Sequence, residues 1–155
     1  MGNNILEYAI GSFAGRGNTS TAPELTSLVK QSIESGRKVE FYRSMYNLDS
    51  SALDHFRLYK TTKGYKGTFQ LQSLIFDIDK KLSSDAEVLD RARAFLEYLK
   101  SAWGVASYRF WYSGNGYHIE TPDFFGFPTT VETPRIVHET IKYHFTAQSS
   151  IIDLS

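Results

Sequence analysis

The stretch LQSLIFDIDK, residues 71–80, decides the fold of this chain. Its apolar run ends in two aspartates, Asp77 and Asp79, which are separated by one residue. Because side chains at positions i and i+2 of a β-strand point to the same face, roughly 6 to 7 Å apart, both carboxylates should share one face. Paired carboxylates can bind a divalent cation. The same pattern also occurs where a strand simply ends in a turn, so the rest of the chain must decide between the two interpretations.

The composition predicts a single domain in a cytoplasm-like compartment. The length of 155 residues is enough for one domain with its own core. Cysteine is absent, which excludes disulfides and thiolate metal sites, so any metal would be held by carboxylates, histidine or water. Basic and acidic residues both number 17, so the net charge does not indicate a polyanionic partner. The sequence has neither a long apolar run nor a charged-then-apolar leader, which predicts a cytoplasmic chain without a membrane segment.

The first part of the chain combines predicted loop, helix and strand. Residues 1–20 are rich in Gly, Ser and Asn and are expected to form a loop. Thr21 and Glu24 form a capping-box pattern, which predicts a helix of about 14 residues. Residues 38–46, KVEFYRSMY, alternate as a strand does and place Arg43 on the otherwise apolar face. The Arg43 guanidinium therefore either extends to water or points into a site where it meets a phosphate.

Residues 57–67, RLYKTTKGYKG, carry lysines that alternate with tyrosines around two glycines. Such a loop could follow a nucleic-acid backbone with its lysines while its rings stack on bases. The other interpretation is a solvated hairpin tip. The candidates for nucleic-acid contact are Lys60, Lys63, Tyr65 and Lys66.

The second part of the chain has the order strand, helix, strand, strand, helix, strand. Its predicted elements are a strand at 71–80, a helix capped at 84–87, strands at 105–112 and 117–121, a helix from 133 and a strand at 150–155. The fold class is therefore α+β, with an RRM-like or ferredoxin-like βαββαβ core at 71–155. An N-terminal α/β segment at 1–70 precedes this core within the same domain. Right-handed crossovers give the sheet order fourth, first, third, second.

This sheet order brings distant residues to one end of the sheet. The strand with Asp77 and Asp79 lies between the third and fourth strands, so its C-terminal end meets the strand ends that carry His118 and Asp153. Three carboxylates, Asp77, Asp79 and Asp153, can hold two hard cations such as Mg²⁺ or Mn²⁺. Backbone amides and the hydroxyl of the turn before His118 can meet phosphate oxygens. The candidate phosphate-binding residues are Ser113, Gly114, Asn115, Gly116 and His118.

These residues resemble the archaeo-eukaryotic primase superfamily, which includes replicative primase small subunits and the primase-polymerases of viruses and plasmids. The family pattern has an apolar strand ending in D-x-D, then a small residue followed by any residue and histidine, and then an apolar-apolar-Asp strand. The corresponding stretches are LIFDID at 74–79, GYH at 116–118 within WYSGNGYHIE, and IID at 151–153. The resemblance covers about residues 38–155.

The resemblance implies a DNA primase or primase-polymerase that performs template-directed nucleotidyl transfer from nucleoside triphosphates. Asp77, Asp79 and Asp153 would hold two divalent ions, and Ser113 and His118 would contact the phosphates of the incoming nucleotide. A single-stranded DNA template, a helicase or additional primase domain as partner, and the host cytoplasm for a viral or plasmid protein are also implied. Family members usually continue beyond the third motif, so the resemblance further implies a chain truncated after Asp153.

Two other functions remain open from the residues. A haloacid-dehalogenase-like phosphatase also places its nucleophile in an apolar D-x-D, but it would have Thr or Val where this chain has Lys81, and it needs a doubly wound sheet. A non-catalytic RRM-like module would bind single-stranded nucleic acid through aromatic residues of its sheet. Such a module would carry aromatics where this chain has Asp77, Asp79 and His118.

Overall fold

The structure is a computed structural model that describes residues 5–11, 18–36, 39–81 and 83–152. Its contacts separate into two compact units. Residues 1–71 and 128–133 belong to the first unit, and residues 72–127 and 134–155 belong to the second. Both units combine helices with an antiparallel sheet, so the α+β class is confirmed. The grouping of both units into one domain stays a prediction.

The first unit contains a four-stranded antiparallel sheet in the order β2-β1-β3-β4. Its elements are β1 (Ile5–Ile10), β2 (Asn18–Thr21), α1 (Ala22–Glu34), β3 (Phe41–Leu48), α2 (Ser51–Tyr59) and β4 (Phe69–Leu71). The capping box of α1 is confirmed, since Glu24 N donates to Thr21 Oγ1 at 3.4 Å and Thr21 N donates to Glu24 Oε2 at 2.9 Å. The buried cluster of this unit consists of Ile5, Leu48, Ala52 and Tyr65.

The second unit contains a three-stranded antiparallel sheet with helices packed on one face. Its elements are β5 (Leu74–Asp79), α3 (Asp85–Trp103), β6 (Arg109–Tyr112), β7 (Gly116–Thr121) and α4 (Thr133–Phe145), whose first residue groups with the other unit. The rings of Phe76 on β5, Phe95 on α3 and Phe145 on α4 contact one another with centroids 5.1 to 5.9 Å apart. All three side chains are buried, so they form the centre of the core on the helical face of the sheet.

Helix α3 begins and ends as its sequence predicts. Glu87 N donates to Ser84 Oγ at 3.3 Å, and Ser84 N donates to Glu87 Oε2 at 2.7 Å, which completes the capping box. Gly104 follows the helix in the left-handed conformation, with a φ of 65°. Glycine adopts this conformation without steric cost, so it terminates the helix before the chain turns towards β6.

The sheet order of the second unit, β5-β7-β6, matches the order predicted for its first three strands. The predicted fourth strand at 150–155 is wrong over its described part, because residues 150–152 form a turn and a bend. This turn is held by hydrogen bonds from the amides of Ile151 and Ile152 to the carbonyl of Gln148, at 2.8 and 3.0 Å. The complete βαββαβ topology is therefore not shown.

Two other predictions from the sequence are corrected. The expected loop at 1–20 contains β1 and part of β2, which pair with each other in the first sheet. The predicted strand at 71–80 is divided at Gln72 and Ser73, so β4 pairs with β3 in one sheet and β5 pairs with β7 in the other. Within the described residues, no helix is long and apolar enough to cross a membrane.

Candidate functional site

The two aspartates of the D-x-D lie on the same face of β5. Burial alternates along the strand, with Leu74, Phe76 and Ile78 buried and the residues between them partly exposed. Asp77 and Asp79 therefore share the face opposite the helices, as the two-residue period of a strand predicts. This face is where polar groups can meet a ligand without disturbing the core.

His118 lies directly across the sheet from Asp77. The two residues are register partners in the antiparallel β5–β7 pair, and Asp79 is the partner of Gly116. His118 Nε2 is 3.1 Å from Asp77 Oδ1, and the side chains are 29% and 42% exposed. The predicted proximity of Asp77, Asp79 and His118 is therefore present in the structure.

The Oδ1 atom of Asp77 is buried and has no hydrogen bond of acceptable geometry within the described part of the chain. His118 Nε2 is close to this atom, but closeness without alignment does not make a hydrogen bond. A buried carboxylate oxygen that accepts no hydrogen bond is costly, because its lost hydration is not fully replaced. Coordination to a cation would satisfy this oxygen.

The turn at residues 113–116 is attached to the end of β5. Ser113 N donates to Gly116 O at 2.9 Å, which closes the hairpin between β6 and β7. Lys80 N donates to Asn115 O at 2.9 Å, and Tyr112 Oη donates to Gly114 O at 2.6 Å. Ser113 and the next two residues are exposed. The turn is therefore held beside Asp79 with its outer surface open to solvent.

Lys80, the residue after the D-x-D, is turned towards the start of α3. Its Nζ lies 2.5 Å from Asp85 Oδ1. The hydrogen bond to Asp85 and the charge of that carboxylate raise the pKa of Lys80. The ammonium is therefore engaged with Asp85 beside the site.

The structure adds Trp111 to the candidate site. Trp111 is the register partner of His118 on β6, and the two rings meet edge to face with centroids 5.5 Å apart. The Trp111 residue is 37% exposed. The strand pattern of RFWY indicates that Trp111 and Arg109 share a face, but only the β6–β7 register places Trp111 beside His118.

Arg91 on α3 is a second residue that the sequence did not indicate. Its Nη2 donates to the Asp79 carbonyl oxygen at 3.5 Å. The Nε atom of Arg91 is buried and has no hydrogen-bond partner within the described residues. Arg91 therefore places positive charge at the end of β5.

The third predicted carboxylate, Asp153, lies outside the described residues. Within residues 5–11, 18–36, 39–81 and 83–152, no group of three or more His, Cys, Asp or Glu side chains is arranged to hold a metal ion. Ile152, the residue before Asp153, is 2% exposed. The metal site predicted from Asp77, Asp79 and Asp153 therefore stays a prediction.

The remaining predicted site residues belong to the first unit. Arg43 is exposed on β3 and, with Tyr8 and Tyr42, borders a cavity of about 340 Å³. Lys60, Lys63 and Lys66 are exposed. This exposure agrees both with a solvated loop and with a nucleic-acid contact, so it does not distinguish the two interpretations.

Tyr65 requires a correction. The residue is 8% exposed, its ring packs edge to face against Phe69 with centroids 5.6 Å apart, and its hydroxyl lies 3.1 Å from Ser51 Oγ. A ring in the core cannot stack on a base. The exposed ring of this segment belongs to Tyr59, at 63%.

Comparison with known proteins returns no significant match to a protein-family model, to a curated protein or to a solved structure. The resemblance to the primase superfamily therefore depends on the sequence motifs alone and stays a prediction.

Proposed function

We propose that the second unit carries the catalytic face of a primase or primase-polymerase, which transfers nucleotides from nucleoside triphosphates under the direction of a single-stranded DNA template. The observation that carries this proposal is the register pairing of Asp77 with His118, 3.1 Å apart, at the strand end where Asp79 lies opposite Gly116. The acids and the histidine come from separate motifs of the resemblance, and their pairing on one open sheet face supports a shared role.

The chemistry of the donor set supports a divalent cation at this face. Asp77 and Asp79 offer carboxylate oxygens, the ligands that Mg²⁺ and Mn²⁺ prefer, and one oxygen of Asp77 is buried without a hydrogen bond within the described residues. Asp153 is the proposed third ligand. When bound, a pair of such ions stabilises the charge that develops on the transferred phosphoryl group.

In the proposed reaction, a 3′-hydroxyl oxygen forms a bond to the α-phosphorus of the incoming nucleotide. The bond from that phosphorus to pyrophosphate breaks, and the hydroxyl proton passes to solvent. His118 donates a hydrogen bond to a phosphate oxygen, and the exposed Ser113 hydroxyl and the turn at 114–116 orient the triphosphate. These residues bind and orient, so little acid–base chemistry is required from side chains.

Nucleotide incorporation by variants of the site tests the proposal. Primer extension and de novo dinucleotide synthesis are measured with labelled ribonucleotides and deoxyribonucleotides on single-stranded DNA, first in Mg²⁺ and then in Mn²⁺. We expect activity in the wild type and a loss of about 100-fold or more in Asp77→Asn and His118→Ala, because removal of one preorganised group at developing charge costs that much.

Matched control variants carry the same changes at exposed positions of the same unit. Asp90→Asn on α3 and His138→Ala on α4 should keep wild-type rates, since both side chains are exposed outside the candidate site. The proposal fails if the wild type neither incorporates nucleotides nor binds a nucleoside triphosphate in the presence of Mg²⁺ or Mn²⁺. Equal activity of Asp77→Asn and wild type would also contradict it.

A non-catalytic module that binds single-stranded nucleic acid is the second candidate, and exposed Trp111 favours it. Its ring lies on the open face of the sheet, where it could stack on a base. This candidate is supported if the wild type binds single-stranded DNA but lacks nucleotidyl transfer. The phosphatase alternative receives no such support, because every described strand pair is antiparallel, whereas a doubly wound sheet is mostly parallel.

A further inference from the structure

A cavity of about 270 Å³ lies in the second unit, at the other end of the same sheet from Asp79. Its lining includes Ser73, Tyr108, Arg109 and Glu120. Glu120 is the register partner of both Ile75 on β5 and Arg109 on β6. The cavity is therefore about one same-face position, or roughly 7 Å, beyond the Asp77–His118 pair along the strands.

Glu120 is a buried carboxylate that lines this cavity. Its side chain is 7% exposed, and Ser73 Oγ and Arg109 Nη2 both donate to its Oε1, at 2.6 and 2.5 Å. The two oxygens of an ionised carboxylate offer about four acceptor sites, so these two donors leave acceptor capacity for a ligand. A donor group of a ligand in the cavity can therefore bind Oε2.

Arg109 supplies the complementary donor beside this acceptor. Its side chain is 71% exposed although Glu120 holds one of its nitrogens. The remaining guanidinium N–H groups can therefore donate to a ligand while Glu120 Oε2 accepts from it. A ligand that fits this pair presents an acceptor next to a donor along one planar edge.

Tyr108 provides an aromatic surface at the same cavity. The residue is 41% exposed, and Lys100 Nζ lies 5.0 Å from its ring centroid. A half-exposed ring beside a donor–acceptor pair suits a flat ligand. Such a ligand stacks on the ring of Tyr108, and its edge forms hydrogen bonds with Arg109 and Glu120. The volume of about 270 Å³ lies just below the range of roughly 300 to 1,000 Å³ for drug-sized ligands, which favours a single small ring system.

We propose that this cavity is a nucleobase-binding site in which Tyr108 stacks on the base while Glu120 and Arg109 recognise its edge. Guanine fits this pair, because its N–H donors lie beside the O6 acceptor, so Glu120 accepts from the base and Arg109 donates to O6. The inference does not depend on the proposed catalytic role of Asp77 and His118.

Calorimetric titration of the whole chain tests the site with three ligands. Guanosine 5′-monophosphate carries a base, ribose 5-phosphate lacks one, and a short guanine-containing single-stranded oligonucleotide presents the base within a strand. We expect the mononucleotide to bind and the sugar phosphate not to bind. Tighter binding of the oligonucleotide assigns the base to a nucleic acid, and equal binding assigns it to a free nucleotide.

Variants separate this site from the candidate catalytic face. Tyr108→Ala should weaken mononucleotide binding by about fivefold or more, whereas Tyr108→Phe should bind almost as the wild type does, because the ring is kept. Glu120→Gln should also weaken binding by about fivefold or more, and its thermal unfolding shows whether the fold survives. Tyr143→Ala removes an exposed ring elsewhere in the unit and should leave binding unchanged.

Asp77→Asn distinguishes failure of this inference from failure of the proposed function. We expect this variant to lose nucleotidyl transfer but to keep wild-type affinity for guanosine monophosphate. The inference is overturned if Asp77→Asn weakens base binding as much as Tyr108→Ala does, because the base would then be bound at the catalytic face. Equal affinity for ribose 5-phosphate, or wild-type binding by Tyr108→Ala, would also overturn it. Absence of nucleotidyl transfer would contradict the proposed function but not the base-binding site.

Discussion

Gly116 packs against the backbone of Ile78, the residue between the two aspartates of the D-x-D. A β-carbon at position 116 would lie 2.2 Å from the Ile78 carbonyl oxygen and 3.1 Å from the Asp79 α-carbon. The obstacle is backbone, which cannot rotate aside as a side chain can. The small residue before Tyr117 and His118 is therefore required by the close approach of β7 to β5, independently of any ligand.

Gly116→Ala should destabilise the chain by about 1 to 3 kcal/mol, because the added methyl group forces the two strands apart. The same shift should move His118 away from Asp77 and reduce any activity that depends on the pair. Urea unfolding measures the first effect. Ser113→Ala, at the exposed start of the same turn, should stay within about 0.5 kcal/mol of wild type. Equal stability of the two variants would contradict the steric explanation.

Divalent cations should raise the unfolding temperature of the wild type. At a concentration ten times the dissociation constant, binding to the folded chain alone adds about 1.4 kcal/mol of stability. For a chain of this size, that corresponds to about 3 to 6 °C. Thermal unfolding with Mg²⁺ or Mn²⁺, and again after chelation with EDTA, measures the shift.

Asp77→Asn should lose most of this shift, whereas Asp90→Asn, an exposed acid on α3, should keep it. This measurement tests metal binding separately from catalysis. A wild-type shift that Asp77→Asn retains in full would place the cation somewhere other than the candidate site.

Trp111→Ala should weaken the binding of single-stranded DNA. Stacking of a base on an aromatic ring contributes about 1 to 3 kcal/mol, so the affinity should fall by about fivefold or more. Fluorescence anisotropy of a labelled oligonucleotide measures the change at constant salt, since phosphate contacts depend strongly on ionic strength.

Trp111→Phe keeps an aromatic face and should recover most of the affinity. Tyr143→Ala removes a ring that is 80% exposed on α4 and should bind as the wild type does. Unchanged binding by Trp111→Ala would exclude this ring as a stacking surface.

Asp49 links the start of α2 to the chain before β4. It accepts hydrogen bonds from the backbone amides of Ser51 and Thr68, at 2.9 and 2.7 Å. Burial raises the pKa of Asp49, but hydrogen bonds from Ser51, Tyr65 and Thr68 together outweigh this effect and hold the pKa well below its usual range. Asp49→Asn should therefore lower the free energy of unfolding by about 1.5 to 3 kcal/mol at neutral pH, the range for hydrogen bonds to a charged group.

The pH dependence of this loss follows from the lowered pKa. A carboxyl group with a depressed folded-state pKa stabilises the fold above its unfolded-state pKa of about 3.9, and the contribution disappears as the pH falls through the folded-state value. The difference in unfolding free energy between wild type and Asp49→Asn should thus be constant near neutral pH and decrease below about pH 4. Urea unfolding across this range measures it.

Asp54→Asn is the matched control on α2. Asp54 pairs with Arg57 at 3.0 Å, but both side chains are 74% exposed, and exposed pairs contribute little. Its unfolding free energy should remain within about 0.5 kcal/mol of wild type. The explanation for Asp49 is contradicted if the difference in unfolding free energy between wild type and Asp49→Asn increases at low pH. A depressed pKa of Asp49 requires that difference to decrease.

Local patterns in the sequence determined the elements that contain their own signals. The capping residues Thr21 and Ser84 were correct because each satisfies backbone amides within a few residues of itself. Asp77 and Asp79 were correctly placed on one face, because the two-residue period of a strand needs no partner to define it. The hairpin between β6 and β7 followed from the turn residues that join two β-rich runs.

Only the tertiary structure decided which residues meet across the chain. The predicted strand is divided at Gln72 and Ser73, because Leu71 pairs with β3 in one sheet whereas the residues from Leu74 onward pair with β7 in the other. Tyr65 is buried because it packs in the core of the first unit with Ile5, Leu48 and Ala52, although Lys63 and Lys66 close to it in sequence are exposed. The pairing of Glu120 with Arg109 likewise depends on the β6–β7 register.

The sequence by itself determined the candidates for the proposed chemistry, namely the two carboxylates of the D-x-D and the histidine after a small residue. The tertiary structure decided their distances, because strand register is set by packing and hydrogen bonding between segments that are remote in the chain. It placed His118 beside Asp77, added Trp111, and left one oxygen of Asp77 buried without a hydrogen bond among the described residues. No local pattern contains these relationships, since each requires two strands to be aligned before the contact exists.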